Sequence, residues 1–184
     1  MPTAARAQLG LARTYQIVTL FGRDTLLHNV KLGLLARSNQ RWRQWGSFDA
    51  DQDLSARALK ALESVGLGEK AQWPVERTSY GEKRRLEIAM ALAQGPKVLL
   101  LDEPSLGLSP KITQQVYEVI ERIASTGISI LLVEQNTQTA LSVAERGYVL
   151  SHGAVALSGD SATLRDAVAI REAFFGKAQD AASS

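Results

Sequence analysis

A capping pattern and a pair of acids after an apolar run are the features that most constrain this chain. Ser79 and Glu82 form a Ser-x-x-Glu pattern before an amphipathic run, which predicts a capping box at a helix N-terminus. Such a terminus carries free backbone N–H groups and a partial positive charge, so it favours an anion. The apolar run 98–101 then ends in Asp102 and Glu103, where one carboxylate suits Mg²⁺ and the next suits orienting water. Together the two segments predict a site for a phosphate-bearing ligand.

The C-terminal half alternates helix and strand patterns with short connections. Continuous apolar runs predict strands buried on both faces, and strand–helix–strand order predicts a parallel α/β core. The predicted elements are a helix that stops at Gly95-Pro96, a strand over Val98–Leu101, a helix from Ser109-Pro110 to Gly127, a strand over Ile128–Val133, a hairpin over Tyr148–Ser158 turning at His152-Gly153, and a short helix over Ser161–Phe175.

The N-terminal half is predicted to be extended over Leu9–Tyr15 and then mostly helical. Helical patterns over Asp24–Ala36 and Leu54–Val65 flank a polar segment, 37–53. This segment interleaves tryptophan with arginine, as at Trp42 and Arg43, a pattern also found in nucleic-acid-binding surfaces. We favour a solvated loop or a partner-facing surface, because the net charge of +2 is too small to argue for nucleic acid.

Composition excludes several classes of protein. The 184 residues suffice for one domain with a core, and the absence of cysteine excludes disulfides and thiolate metal sites. No apolar stretch approaches the ~18 residues of a membrane span, and no signal-peptide pattern opens the chain. Any membrane association is therefore expected to depend on a partner.

The two central segments resemble the signature loop and the Walker B strand of ATP-binding-cassette (ABC) transporter ATPases. The words Ser79–Glu82 and Arg85–Ala89 are similar to the branched-chain amino acid transporter branch of that family. The usual signature is Leu-Ser-Gly-Gly-Gln, from which Thr78, Tyr80 and Glu82 depart. The resemblance implies an α/β fold: a partial P-loop NTPase domain with a mostly parallel sheet, a helical subdomain and a C-terminal hairpin.

The resemblance also implies a role for each matching residue. Asp102 is the Walker B aspartate for Mg²⁺, and Glu103 is the catalytic carboxylate that polarises the attacking water. Gln16 is the Q-loop glutamine that contacts Mg²⁺ and reports the nucleotide state to the membrane subunit. The signature loop binds the γ-phosphate of ATP held by the opposite subunit of a head-to-tail dimer; its residues here are Ser79, Tyr80, Gly81 and Glu82.

Other positions depart from the family pattern. Gln135 stands where most members carry a histidine that contacts the γ-phosphate, and glutamine supplies only a neutral hydrogen bond. Neither His28 nor His152 falls at a position to replace it. Ser109 stands in the D-loop where aspartate is more usual. Residues 133–136 resemble one branched-chain amino acid ATPase subunit and residues 12–16 resemble the other, so the choice between the two stays open.

The phosphate-binding loop G-x-x-x-x-G-K-[ST] does not occur in these 184 residues. The family carries it, with its strand and helix, upstream of the Q-loop glutamine. We therefore interpret residues 1–176 as an incomplete ABC ATPase domain, with a helical subdomain at about 24–94, and residues 177–184 as a polar tail. The missing strand is expected to be central, so that 98–101 lose their cover and the chain alone is poorly stable.

The resemblance implies an ATPase subunit that energises uptake of branched-chain amino acids or a related small solute. Its implied ligands are ATP and Mg²⁺. Its implied partners are membrane-spanning permease subunits and a homologous or identical ATPase subunit, and nucleic acid is not among them. The expected location is peripheral, on the cytoplasmic side of the inner membrane. Two alternatives remain: a non-catalytic subunit that lends its signature loop to a complete sister ATPase, and a soluble ABC protein of repair or translation.

Overall fold

The computed structural model describes residues 9–14, 20–35 and 51–166. Its contacts divide the chain into two compact units, 1–133 and 134–184, which are described separately. The elements of the first unit are β1 (Leu11–Arg13), α1 (Leu26–Leu35), α2 (Gln52–Ser64), two 3₁₀ turns (Gly68–Lys70 and Val75–Arg77), α3 (Tyr80–Leu92), β2 (Val98–Asp102), α4 (Pro110–Ala124) and β3 (Ser129–Val133). The second unit contains α5 (Thr137–Val143), β4 (Arg146–Ser151), β5 (Ala154–Asp160) and α6 (Ser161–Leu164).

In the described part of the first unit, three strands form a parallel sheet in the order β1-β2-β3. Leu11 pairs with Val98 and Leu99 pairs with Ile130, so residues at matching positions share a face. This parallel pairing confirms the prediction of a parallel α/β core. Parallel pairing brings the carboxyl ends of the strands to one edge, which is where ligands bind in open α/β sheets.

The predicted burial on both faces is wrong for β3, whereas β2 is fully buried on one face and partly buried on the other. Leu99 and Leu101 are fully buried on one face of β2. On the opposite face β3 leaves Leu131 and Val133 52% and 45% exposed. The uncovered apolar side chains therefore lie on β3 and not on 98–101, where the loss of cover was expected. An apolar run alone does not show which of its alternating side chains are covered.

The helices of the first unit build a core against the buried face of the sheet. Leu26 and Val30 of α1, Leu62 of α2 and Leu86 of α3 are fully buried in one cluster that also contains Leu99. The Asp51 carboxylate caps α2 by accepting a hydrogen bond from the Leu54 amide at 3.0 Å. On α4 the predicted stripe is buried at every position from the second turn onward: Val116, Val119, Ile120 and Ile123. The predicted helices at 24–36 and 54–65 are thus confirmed with small shifts in their ends.

In the described part of the second unit, one short helix precedes a β-hairpin along the chain and a second short helix follows it. The β4–β5 turn falls at His152-Gly153, as predicted, and both residues have positive φ angles of 49° and 78°. Two residues of positive φ make the turn type that matches the twist of hairpin strands. Leu141 and Leu164 pack against Gly147, where an added Cβ would lie 3.0 and 2.8 Å from their methyl groups. The predicted helix 161–175 begins at Ser161 as α6 but ends at Leu164, and the predicted part beyond residue 166 lies outside the described residues.

Within the described ranges no helix is long and apolar enough to cross a bilayer.

Candidate functional site: the signature loop and the acids at the sheet edge

The N-terminus of α3 has the predicted capping box. The Ser79 Oγ accepts a hydrogen bond from the Glu82 amide at 3.3 Å, and the Glu82 carboxylate accepts one from the Ser79 amide at 2.8 Å. The first amides of a helix have no intrahelical acceptor, and the helix dipole adds positive potential there. The signature loop, residues 79–82, therefore presents Tyr80 and Gly81 amides at the end of a helix of thirteen residues.

Lys70 compensates the negative charge that Glu82 brings to the signature loop. Its ammonium group donates a hydrogen bond to the Glu82 Oε1 and lies 4.8 Å from the centre of the Trp73 ring. Burial alone raises the pKa of Glu82, but hydrogen bonds from Lys70 and Ser79 outweigh it and hold this pKa below its usual range. The ion pair keeps a carboxylate at the helix start from cancelling the positive potential of that terminus.

The Lys70–Glu82 pair predicts a pH-dependent contribution to stability. Since the folded-state pKa of Glu82 is lowered, its contribution is present above the unfolded glutamate value of about 4.3 and is lost as the pH falls through the folded value. Glu82→Gln is expected to lower the free energy of unfolding at pH 7, and the difference from wild type should vanish in acid. Urea unfolding at both pH values measures it. The exposed Glu76→Gln is the control; an equal loss at both pH values for Glu82→Gln contradicts the assignment.

The signature loop packs closely on the segment that follows the two acids. An added Cβ on Gly81 would lie 2.4 Å from the Cγ2 of Ile112, the third residue of α4. An added Cβ on Gly107 would lie 3.6 Å from the Tyr80 ring, which is itself 62% exposed. Within the first unit, the signature loop is therefore in contact with the segment that follows the two acids and leads into α4.

Gly81→Ala is expected to destabilise the first unit by about 1–3 kcal/mol. The new methyl group collides with a β-branched side chain that has essentially one χ1 rotamer in a helix, so relief requires movement of α4. Gly33→Ala is the matched control, because its Cβ meets Met90 only at 3.7 Å and a helical glycine-to-alanine change gains roughly 0.5–1 kcal/mol. Chemical unfolding compares the two; equal stability changes would show that α3 and α4 do not pack this closely.

Asp102 and Glu103 lie at the carboxyl end of β2, as predicted. The Asp102 carboxylate is 2.9 Å from the Arg13 guanidinium of the neighbouring strand β1. Glu103 has a positive φ of 46°, and its amide donates a 2.8 Å hydrogen bond to the Val133 carbonyl at the end of β3. This positive φ turns the backbone out of the strand directly after Asp102.

The residues at this edge of the sheet can offer Mg²⁺ one protein carboxylate, which suits a metal ion that is held mainly by water and phosphate oxygens. Within the described parts of the chain no group of three or more acidic, histidine or cysteine side chains could hold a metal ion. Mg²⁺ typically takes one or two protein carboxylates and completes its shell with water and substrate phosphates. Asp102 supplies one such carboxylate, and Arg13 occupies it as an ion-pair partner in this structure.

Two predicted site residues lie outside the described part of the first unit, which contains the signature loop, Asp102 and Glu103. Gln16 lies outside the described residues. Gln135 belongs to the second unit, one residue before Asn136, whose side chain caps α5 by accepting from the Thr139 amide at 3.1 Å. Their assigned roles stay predictions.

Sequence reasoning missed two arginines at the site. Arg13 pairs with Asp102, and Arg84 reaches the backbone around Glu103. The local pattern gave no signal for Arg84, because an arginine within an amphipathic helix usually faces solvent. For Arg13 the signal was available, since a residue near the end of β1 lies beside the end of β2 in a parallel pair.

Comparison with known proteins identifies the family. The ABC transporter family profile matches residues 3–106, more than half of the chain. The chain belongs to the ABC transporter family.

Its relatives include named transport proteins. BraG of Pseudomonas aeruginosa, a high-affinity branched-chain amino acid transport ATP-binding protein, is 37% identical over 85% of this chain and 63% of its own length. LivG of Escherichia coli K12, of the same description, is 31% identical over 97% of this chain and 72% of its own length. The chain therefore spans about two thirds of the length of these relatives.

A solved structure supports the fold. MJ1267, an ATP-binding cassette of an ABC transporter crystallised in its ADP conformation, aligns with a TM-score of 0.81 at 22% identity. The alignment covers 94% of this chain and 71% of MJ1267.

Proposed function

We propose that this chain is part of an ATP-binding and ATP-hydrolysing subunit of an ABC importer for branched-chain amino acids or a related small solute. One observation carries the proposal: the capped helix N-terminus at residues 79–82 packs on the segment 107–112, which follows Asp102 and Glu103 at the sheet edge. Identities of 37% and 31% with BraG and LivG support the choice of solute class.

The proposed chemistry is phosphoryl transfer to water. Asp102 would hold Mg²⁺, which supplies charge neutralisation at the phosphates, through its water shell. Glu103 would accept a hydrogen bond from the attacking water and orient it in line with the γ-phosphate. Ser79 and the Tyr80 and Gly81 amides would bind the γ-phosphate of ATP held by the opposite subunit, with Glu82 held back by Lys70. Gln16 and Gln135 would be secondary polar contacts at the nucleotide.

The proposed partners are membrane permease subunits and a second ATPase subunit arranged head to tail. Such a dimer uses the signature loop of one chain and the acids of the other in each site. The solute class is testable by gene neighbourhood, because an importer needs a permease and a solute-binding protein. If the neighbouring genes encode neither a permease nor a solute-binding protein, the proposal of import loses most of its support.

A second candidate function rests on the absence of the G-x-x-x-x-G-K-[ST] motif from these 184 residues. On this hypothesis the chain lends its signature loop to a complete sister ATPase and hydrolyses nothing itself. Size-exclusion chromatography with a full-length sister tests it, and failure to form a complex at any ATP concentration discards it.

The chain as it stands is expected to release no phosphate from ATP at a meaningful rate. Phosphoryl transfer depends on positioning and on charge stabilisation, and the phosphate loop supplies much of both. Phosphate release by the purified chain measures this. Turnover that Glu103→Gln abolishes would contradict the prediction.

The direct test of the proposed function uses an extended chain. We define it as this chain preceded by the phosphate-loop strand and helix that the family carries upstream of Gln16. Phosphate release by the extended chain, abolished by Glu103→Gln, supports the proposal. An extended chain that is folded and binds ATP but shows no turnover, alone or with a sister subunit, contradicts it.

A further inference from the structure

Arg84 makes an unusual set of contacts for a helical arginine. It lies in the second turn of α3 and is 8% exposed. Its guanidinium donates to three consecutive backbone carbonyls at the end of β2: Asp102 at 2.8 Å, Glu103 at 2.6 Å and Pro104 at 3.2 Å. The planar, five-donor guanidinium group can serve several acceptors at once, which a lysine ammonium at the end of a flexible stem does less well.

Glu87 supplies the negative charge that pairs with the Arg84 guanidinium. It lies one helical turn after Arg84 and accepts a hydrogen bond from the Arg84 Nη1 at 2.6 Å. Burial raises the pKa of Glu87 in spite of the opposing effect of Arg84. A buried cation is costly unless it is paired and hydrogen-bonded, and here both requirements are met.

The backbone that Arg84 holds is strained. A positive φ is uncommon and strained for a residue with a side chain, so the surroundings must impose the 46° at Glu103. The Glu103 amide is held by the Val133 carbonyl, and the Glu103 carbonyl accepts from both Arg84 and the Leu106 amide at 3.2 Å. Hydrogen bonds on both sides of Glu103 therefore fix the direction in which its side chain leaves the strand.

We propose that Arg84 is a positioning residue for Glu103: it holds the Glu103 turn, residues 103–108, in the conformation that aims the carboxylate, and it ties that turn to the signature helix α3. This inference rests on the proposed function, in which Glu103 orients water. Since α3 carries both the signature loop and Arg84, a displacement of α3 either moves the turn with it or breaks three hydrogen bonds. The two halves of the site are thus mechanically joined within one chain.

The test compares Arg84→Lys with Arg85→Lys. Arg85 is the adjacent arginine on α3 and donates instead to the Val65 carbonyl at 3.2 Å, away from the turn. Lysine keeps the positive charge beside Glu87 but loses the multiple carbonyl contacts. In the chain as it exists, hydrogen exchange of the Leu106 amide is expected to quicken about tenfold in Arg84→Lys, as for a lost hydrogen bond, and to stay near wild type in Arg85→Lys. Unchanged Leu106 exchange in a folded Arg84→Lys overturns the proposal.

A second readout separates positioning from folding. In the extended chain, Arg84→Lys is expected to lower kcat about 10–10²-fold with the ATP KM unchanged, and Arg85→Lys to leave both near wild type. Faster Leu106 exchange with an unchanged kcat overturns the role of Arg84 in positioning. If the wild-type extended chain shows no turnover, the proposed function fails, and Leu106 exchange alone then decides whether Arg84 holds the turn. If Arg84→Lys does not fold, slow exchange of the wild-type Arg84 Nε–H by NMR supports the contacts, and fast exchange contradicts them.

Discussion

Glu103→Gln in the extended chain is expected to reduce ATP turnover by about 10²–10⁴-fold while ATP still binds. In the proposed function the carboxylate of Glu103 accepts a hydrogen bond from the attacking water, and a neutral amide of the same shape would polarise that water far less. Asp102 is not expected to take over, because it pairs with Arg13 and is assigned to Mg²⁺ in the proposed function. Steady-state phosphate release and a separate binding measurement test the two parts of this statement.

Gln135→Ala is the comparison for this effect. Glutamine positions or polarises but carries no charge, so its removal should cost less than the ~10²–10³-fold typical of a preorganised transition-state donor. If Gln135→Ala proves the more damaging change while nucleotide still binds, Glu103 is not the principal catalytic residue.

Leu101→Ala is expected to destabilise the first unit by about 2–5 kcal/mol, the range for truncating a buried leucine. Leu101 is fully buried on the covered face of β2. Leu131→Ala in the adjacent strand is the matched control; because Leu131 is 52% exposed, the expected change is within about 0.5 kcal/mol. Urea unfolding of the purified chain compares them.

The comparison of Leu101→Ala with Leu131→Ala shows which strand has a face that no other side chains pack against. A large loss for Leu131→Ala with little for Leu101→Ala would show that β3, not β2, has the buried face. Similar losses for both would restore the sequence-based prediction that each strand is buried on both faces.

The sequence predicted those parts of the fold that short-range chemistry determines. The capping box follows from the side chains of Ser79 and Glu82 alone, and the hairpin turn follows from His152-Gly153 because glycine adopts positive φ without strain. Burial of the strands was not predictable in the same way. The runs at 98–101 and 128–133 are both mostly apolar, and the sequence does not show that Leu99 and Leu101 are buried while Leu131 and Val133 are about half exposed.

The candidate site was likewise predictable where a local sequence pattern marks it and not where it depends on tertiary contacts. Asp102 and Glu103 were found because they end an apolar run, and the structure places them at the sheet edge. The contacts of Arg84 were not predictable, since its acceptors are backbone carbonyls about twenty residues away and carry no side-chain signature. The Lys70–Glu82 pair also depends on tertiary structure, because Lys70 lies in a 3₁₀ turn that precedes α3.

We propose that Ser79 of one chain and Glu103 of another serve the same ATP. Complementation tests this arrangement, using extended chains with Ser79→Glu, which places a negative charge at the phosphate, and with Glu103→Gln. Each variant alone should be inactive, and an equimolar mixture should regain turnover, because mixed dimers contain one site with an intact Ser79 and an intact Glu103. Turnover of the mixture no greater than the sum of the two separate variants would contradict the claim.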